Sequence, residues 1–157
     1  MVFVAFLVVL LVQSLAPKRI ETFTLGTFTP RPPAAGRSDT ATLDVRDGSR
    51  WHYYDLDRGA VLMPPDSMGW DVAARRFQLR IPVASARPAS PSADQSGHLP
   101  RWYRYDFLAH LLRPTDRAYQ LRTDGGLDVV LEILGYYCPG PTAGCLTITY
   151  RAVRPTQ

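Results

Sequence analysis

An unbroken apolar run lies near the start of the chain, from Val2 to Val12, with the sequence VFVAFLVVLLV. No polar face interrupts the run, so it favours a helix in lipid over a core helix of a soluble domain. A helix from Val2 to Ala16 would be about 22 Å long at ~1.5 Å per residue, short of a ~30 Å hydrocarbon core. Continuation to Phe23 would supply the missing length. We therefore predict a single transmembrane anchor over residues 1–23, with the anchoring side chains Val2, Phe3, Phe6, Leu7, Leu10 and Leu11.

A cleaved signal peptide is the alternative interpretation of this run. Ser14 and Ala16 could fill the two small positions of a cleavage site. However, no Lys or Arg precedes the run, and Pro17 would lie directly after the cut, where it should obstruct the peptidase. We therefore predict that the segment is retained as an anchor.

Beyond the run, apolar and polar residues alternate with period two in most segments, which is the pattern of half-buried strands. Turn signals such as Asp47-Gly48 separate the segments. One stretch differs, because from Trp102 to Leu112 the apolar residues recur at helical spacing until Pro114 stops the pattern. About eight strands are predicted, at residues 22–29, 42–45, 50–56, 60–63, 70–81, 118–122, 127–137 and 145–153.

These elements predict a mainly β fold: an antiparallel β domain with one short helix, preceded by a single N-terminal transmembrane helix. The chain divides into three regions. Residues 1–23 form the anchor, residues 24–49 form an extended, Pro-rich linker with the first strands, and residues 50–157 form the β domain. A polar, low-complexity stretch within residues 82–100 is predicted to be a surface loop.

The two cysteines, Cys138 and Cys145, flank the turn-rich sequence Pro-Gly-Pro-Thr-Ala-Gly. Strands on either side of this turn would bring the two sulfurs together, and the disulfide would contribute roughly 2.5 kcal/mol by closing the loop. A metal pair is the alternative, but this spacing is poor for zinc. A disulfide implies an oxidising compartment, which favours the outer side of the membrane. Lys18 and Arg19 favour the cytoplasmic side instead.

Composition excludes several classes of function. The net charge of +4 comes from scattered arginines, and no basic run alternates with aromatic residues, so a nucleic-acid partner is not expected. The chain has no nucleophile elbow, phosphate loop or zinc-protease motif, and we predict that it is not an enzyme. Asp55, Asp57, Asp66 and Asp71 lie close in sequence, but Asp beside Gly and Pro is ordinary turn chemistry. Asp71 is expected to pair with Arg75 or Arg76.

Five short motifs occur in an order that resembles the HmuY-like family of bacterial cell-envelope proteins. The motifs lie at Trp51–Gly59, Trp70–Arg76, Tyr119–Gly125, Tyr136–Tyr137 and Leu146–Tyr150. The resemblance implies a compact, mostly antiparallel β fold outside the inner membrane, over residues 50–157. It also implies that haem is a possible ligand, since some members bind haem through two axial side chains. The chain departs from the family at Asp128-Val129-Val130, where a basic residue is usual.

Haem ligands are not obvious in the sequence. The histidines are His52, His98 and His110, and Met63 and Met68 are possible soft ligands. His52 belongs to a predicted strand and His110 to a predicted helix face, where a structural histidine is commoner. Covalent c-type haem is excluded, because no Cys-x-x-Cys-His is present. We predict no metal site and no resident cofactor, with haem bound through these histidines as the alternative.

The combination of an anchor and a small β domain also resembles an accessory subunit of a bacterial photosynthetic reaction-centre and light-harvesting complex. This resemblance implies a non-catalytic structural subunit, single-pass in the inner membrane with its β domain in the periplasm. Its partners would be other membrane-protein subunits and the lipid bilayer. Trp102, Tyr103 and Tyr105 are the predicted interface. A cell-envelope protein that binds haem or another small ligand is the alternative function.

Overall fold

Two antiparallel sheets of four strands each form most of the β domain. The architecture comes from a computed structural model, which describes residues 2–15 (backbone only at 13–15), 20–26, 31–62, 68–85 and 93–153. Within these ranges the elements are α1 (Val2–Leu15), β1 (Asp39–Asp44), β2 (His52–Asp55), β3 (Ala60–Leu62), β4 (Val72–Arg75), β5 (Gln78–Arg80), β6 (Tyr103–Asp106), β7 (Leu111–Pro114), β8 (Ala118–Arg122), β9 (Asp128–Cys138) and β10 (Thr142–Ala152). The predicted mainly β, antiparallel class is confirmed.

The first sheet, which we call the frame sheet, has the strand order β1-β10-β9-β8. Its two central strands, β9 and β10, are eleven residues long. Alternation sets their faces, since Val129, Leu131 and Ile133 are buried while Glu132 is exposed. Strand β1 pairs with β10, so the first strand of the domain lies beside the last.

The second sheet, which we call the short sheet, has the order β3-β2-β4-β5, with strands of three or four residues. One hydrophobic core joins the two sheets. The short sheet contributes Tyr54 and Val72, and the frame sheet contributes Tyr119, Leu131 and Ile148, among others. Each such side chain stabilises the fold by about 1.5–3 kcal/mol through burial of apolar surface.

The predicted disulfide is confirmed. Cys138 at the end of β9 is bonded to Cys145 in β10, and neither cysteine is free. The two strands form one hairpin, in which Thr142 is the register partner of Cys138. Gly140 in the turn has φ +76°, a conformation that glycine adopts without steric strain.

The predicted helix from Trp102 to Leu112 is wrong, because this segment forms the β6–β7 hairpin, with Tyr105 opposite Leu112. The segment satisfies two periods at once. Trp102 and Tyr105 fit helical spacing, but Tyr103 and Tyr105 also alternate on one strand face. Aromatic residues favour strands, and the turn after Asp106 lets the two halves pair.

The N-terminal helix α1 ends at Leu15, and its side chains from Val2 to Val12 are exposed, apart from the half-buried Leu10. No helix in the described part of the chain is long and apolar enough to cross a membrane. The predicted continuation of the helix to Phe23 is wrong at its far end. Thr22 forms a parallel bridge with Tyr137, and the backbone N–H of Phe23 donates to the Tyr137 carbonyl at 2.8 Å.

Residues 20–26 therefore belong to the β domain. Phe23 is buried over Gly135, where a Cβ atom would lie 2.5 Å from the Phe23 ring. The predicted Pro-rich linker also packs on this domain. The hydroxyl of Tyr150 accepts a hydrogen bond from the backbone N–H of Arg31 at 2.7 Å and donates one to the Arg31 carbonyl at 2.6 Å.

Candidate ligand-binding site

The base of the β6–β7 hairpin is fixed firmly to the domain. The Trp102 side chain is 2% exposed, and its indole N–H donates to the carbonyl of Phe77 at 2.8 Å. The hydroxyl of Tyr137 accepts the backbone N–H of Leu112, also at 2.8 Å. The far end of the hairpin, residues Tyr105 to His110, projects from this base, and we call it the hairpin tip.

The Asp106 carboxylate defines the conformation of the hairpin tip. One of its oxygens accepts the backbone N–H of Ala109 at 3.0 Å, and the other lies 2.9 Å from the Arg113 guanidinium. The hydrogen bond from Arg113, followed by the one from Ala109, lowers the pKa of Asp106. The carboxylate is therefore ionised at neutral pH, and it connects the turn at Ala109 with Arg113 in β7.

The hairpin tip exposes apolar surface. Phe107 is 79% exposed and Leu108 is 54% exposed. The ring of Phe107 packs edge-on against Tyr105, with the two centroids 4.9 Å apart. Two large apolar side chains at a projecting turn are unfavourable in water, and adjacent exposed apolar side chains are a feature of binding sites.

His110 lies beside these apolar side chains. Its Nδ1 is 2.8 Å from the Tyr105 hydroxyl, and its Nε2 makes no hydrogen bond with any residue that the structure describes. Metal-binding histidines usually have one ring nitrogen fixed by a hydrogen bond, which leaves the other for the metal. His110 therefore has the arrangement of a side chain that can ligate iron or another transition metal through Nε2.

Backbone strain distinguishes the same residue. In the described part of the chain, two residues other than glycine have positive φ angles, His110 at +54° and Arg76 at +51°. A residue with a Cβ atom in this region is strained by roughly 1–3 kcal/mol, and such positions concentrate at functional sites. Each of the two residues lies in the turn of a short hairpin.

The other predicted haem ligands do not join His110. The Nε2 of His52 lies 2.9 Å from the carbonyl of Asp47, and the ring of His98 packs against Trp51 with centroids 5.7 Å apart. The three histidines form no common metal cluster within the described residues. Met68 is 85% exposed, and Met63 lies outside the described residues.

The described residues do contain one group of potential metal ligands, the aspartate cluster of Asp55, Asp57 and Asp71, whose oxygens lie within 4.8 Å of one another. These carboxylates accept backbone N–H groups. Asp71 accepts those of Leu56 at 2.7 Å and Asp124 at 2.6 Å. The cluster therefore joins the turn after β2 to the turn between β8 and β9, which is a structural role.

Burial controls the protonation of Asp71. The residue is fully buried, and this raises its pKa to about 6, although the two backbone hydrogen bonds act in the opposite direction. The charges of Asp57 and Asp55 raise it further. The expected ion pair of Asp71 with Arg75 or Arg76 does not form, because the carboxylate is directed to backbone groups instead. Asp66 lies outside the described residues.

Similar folds occur among solved structures of Bacteroidetes proteins. A candidate lipoprotein of Bacteroides fragilis has a TM-score of 0.58 at 16% identity, covering 83% of this chain and 97% of its own. A candidate HmuY-like haem-binding protein of Bacteroides vulgatus has a TM-score of 0.52 at 16% identity, covering 76% and 93%. The apo form of an HmuY analogue from Tannerella forsythia has a TM-score of 0.55 at 12% identity, covering 80% and 100%. The fold is HmuY-like.

The HmuY-like fold confirms what the first sequence resemblance implied about architecture. No family model and no curated protein matches the chain. None of the three similar structures is a photosynthetic subunit, so the second resemblance gains no support. At 12–16% identity, the similar structures show the fold of this chain alone.

The predicted interface residues have three different environments in the β domain. Trp102 is a core residue rather than an exposed contact, since its ring is buried and its N–H is paired. Tyr103 is half-buried, and Tyr105 is 40% exposed within the hairpin tip. Sequence reasoning missed Phe107 and Leu108 as site residues, because it assigned the segment to a helix and counted Leu108 or Ala109 on the apolar face of that helix. Their position directly after a turn-forming Asp was the available signal.

Proposed function

We propose that this protein binds haem in the bacterial cell envelope, with His110 as an axial ligand at the hairpin tip. The single observation that carries the proposal is the Tyr105–His110 pair, which leaves Nε2 available beside exposed Phe107 and Leu108. The names of two proteins of similar fold, the HmuY-like haem-binding protein and the HmuY analogue, support haem as the ligand.

The residues present fit the chemistry of haem. Its iron accepts an imidazole nitrogen, and its macrocycle is flat and largely apolar. The Tyr105 hydroxyl oxygen would accept the Nδ1–H of His110, which fixes the tautomer that directs the Nε2 lone pair outward. Phe107 and Leu108 would then lose water contact against the macrocycle, and this burial favours binding.

The disulfide supports the proposed location. A bond between Cys138 and Cys145 suits an oxidising compartment, and one protein of similar fold is a candidate lipoprotein. We infer a non-catalytic ligand carrier rather than a structural subunit. Association with other membrane-protein subunits stays a prediction, and native gels after gentle detergent extraction are its test.

Titration of the full chain with ferric haem tests the proposal. The Soret band should shift and saturate at one equivalent. His110→Ala should weaken haem binding by about tenfold or more, because an axial ligand is lost. Tyr105→Phe should weaken it less, since the imidazole keeps its nitrogen but loses its orienting partner. Met68→Ala tests whether this exposed thioether supplies the second axial ligand.

His52→Ala is the matched control, because His52 is half-buried with its Nε2 on a backbone carbonyl. It should leave the Soret titration unchanged. Absence of a saturable Soret shift in the wild type would contradict haem binding altogether. If the wild type and His110→Ala bind haem with equal affinity, the hairpin tip is not part of the haem site.

A further inference from the structure

A second cluster of functional groups lies on the short sheet, away from the hairpin tip. The guanidinium groups of Arg75 and Arg80 lie over the ring of Trp51, at 4.9 Å and 5.1 Å from its centroid. At most about 10 Å therefore separates the two guanidinium carbons. The ring of His98 packs against the same indole. Two guanidinium groups and one imidazole ring therefore contact the same tryptophan.

A cavity of about 200 Å³ adjoins this cluster and is lined by Gly48, Arg75, Arg76, Phe77 and Gln78. We call it the basic cavity, since it has two arginines and no acidic residue in its wall. The side chain of Arg76 lies directly over Gly48, where a Cβ atom would approach the Arg76 Nε within 2.3 Å. The missing side chain at Gly48 leaves the space that this arginine occupies.

Ion pairing divides the arginines of the described residues into two groups, and the group without a carboxylate partner also contains Arg31, Arg101, Arg104, Arg117 and Arg151. Six arginines each pair with an aspartate at 2.6–3.3 Å: Arg37, Arg46, Arg50, Arg58, Arg113 and Arg122. Arg75, Arg76 and Arg80, which we call the arginine cluster, pair with no carboxylate of the described residues. In addition, the Nε of Arg80 is buried and has no hydrogen-bond partner there.

The nearby carboxylates do not neutralise this cluster. Asp94 lies 3.7 Å from the Nδ1 of His98, and Asp47 pairs with Arg50. Arg75 donates to the side-chain oxygen of Gln78 at 2.9 Å, which orients its guanidinium without neutralising it. Two like charges at one ring, with a buried Nε–H that has no acceptor among the described residues, favour the binding of an anion.

Backbone strain gives an independent indication. Arg76 has φ +51°, and glycine would adopt this turn conformation without strain. This strained arginine is also one of the two arginines that line the basic cavity. Beside it, Phe77 is 37% exposed and adds an apolar wall.

We propose that the arginine cluster and the basic cavity form a binding site for an oxyanion, the phosphate or carboxylate group of a ligand. Guanidinium groups recognise both anions through paired N–H donors. Trp51 and Phe77 would contact the apolar or ring-bearing part of the same ligand. The anion could be part of a soluble molecule or of a lipid headgroup, because the recognising chemistry is the same. This inference does not depend on haem binding.

Calorimetric titration of the full chain with pyrophosphate tests the soluble source, and vesicles of phosphatidylglycerol against phosphatidylcholine test the lipid source. Pyrophosphate should bind saturably and shift the indole N–H resonance of Trp51. Arg75→Gln and Arg80→Gln should each weaken binding by about tenfold, because each removes a charge-assisted donor. Arg75→Lys should lie between, since it keeps the charge but loses the paired donors.

Arg58→Gln and Arg122→Gln are matched controls, because they remove the same charge from arginines that are already ion-paired. They should leave the affinity unchanged, and circular dichroism should show that every variant is folded. If Arg75→Gln weakens vesicle binding and the wild type does not bind pyrophosphate, the anion is assigned to a lipid. The wild type and the variant have the same α1, so α1 cannot explain the difference between them. The site is refuted if neither probe binds, or if the control variants weaken binding as much as Arg75→Gln.

Discussion

The β9–β10 hairpin and the β6–β7 hairpin each have a turn residue with a positive φ angle, but this residue is a glycine in the first hairpin and a histidine in the second. The β9–β10 turn has Gly140 at its positive φ angle, and the disulfide closes the base. The β6–β7 turn has His110 at its positive φ angle, and its tip exposes Phe107 and Leu108. The first hairpin contains the residues that a stable turn requires. The second gives up stability at the positions that we propose for haem binding, as ligand-binding sites commonly do.

Removal of the disulfide should have the largest effect on this comparison. The double variant C138S/C145S should lower the free energy of unfolding by about 2.5 kcal/mol, because the unfolded chain regains the freedom of an eight-residue loop. Urea denaturation of the full chain measures the change. Reduction of the wild type should reproduce it. A variant that unfolds at the wild-type urea concentration would show that the β9–β10 hairpin does not depend on its covalent bond.

Asp71→Asn should have an intermediate effect, because it leaves one of the two backbone N–H groups without its acceptor. We expect a loss of about 1–2 kcal/mol at neutral pH. The native pKa of about 6 lies above the unfolded value of 3.8, so the native state holds this proton more tightly. The wild type should therefore lose stability through this group as the pH rises from about 4 to about 6.

The difference in unfolding free energy between wild type and Asp71→Asn should accordingly be largest near pH 4 and narrow towards pH 6. Urea denaturation across this range measures it. Asp44→Asn is the control, because Asp44 forms an exposed pair with Arg46 that contributes little. A difference that widens with rising pH would mean that the hydrogen bonds from Leu56 and Asp124 outweigh burial at Asp71.

His110→Gly should have the smallest effect, and in the stabilising direction. Glycine relieves the strain at φ +54°, so the free energy of unfolding should rise by about 0.5–1 kcal/mol. The neighbouring variant Ala109→Gly should be neutral or slightly destabilising, since Ala109 has no positive φ angle to relieve. Thermal unfolding of the wild type and of both variants measures these two changes in stability. If His110→Gly destabilises the chain, the left-handed turn is not strained in the way we describe.

The sequence predicts the strands and the disulfide of this protein better than its candidate sites. Alternation along β9 and β10 and the spacing of Cys138 and Cys145 depend on local rules, and both predictions are confirmed. The helix prediction at Trp102–Leu112 failed because two periods fitted one short segment, and only pairing across the hairpin decided between them. Phe23 was assigned to the anchor, since nothing local shows that Gly135 accommodates its ring.

The candidate sites depend on contacts between distant residues. Trp51 and Arg80 lie far apart in sequence, and they meet only because β2 pairs with β4 and β4 with β5. Sequence proximity suggested that Asp71 would pair with Arg75 or Arg76. Burial directs Asp71 to backbone groups instead, so these arginines stay without a carboxylate among the described residues.

The pairing of β1 with β10 has a consequence for how the protein acquires its structure. Asp39 lies opposite Tyr150, so the frame sheet can be completed only after β10 has been synthesised. Contacts of such long sequence separation make folding slow, because a large loop must close before the pairing stabilises it. A nascent chain would therefore stay incompletely folded until its last strand becomes available.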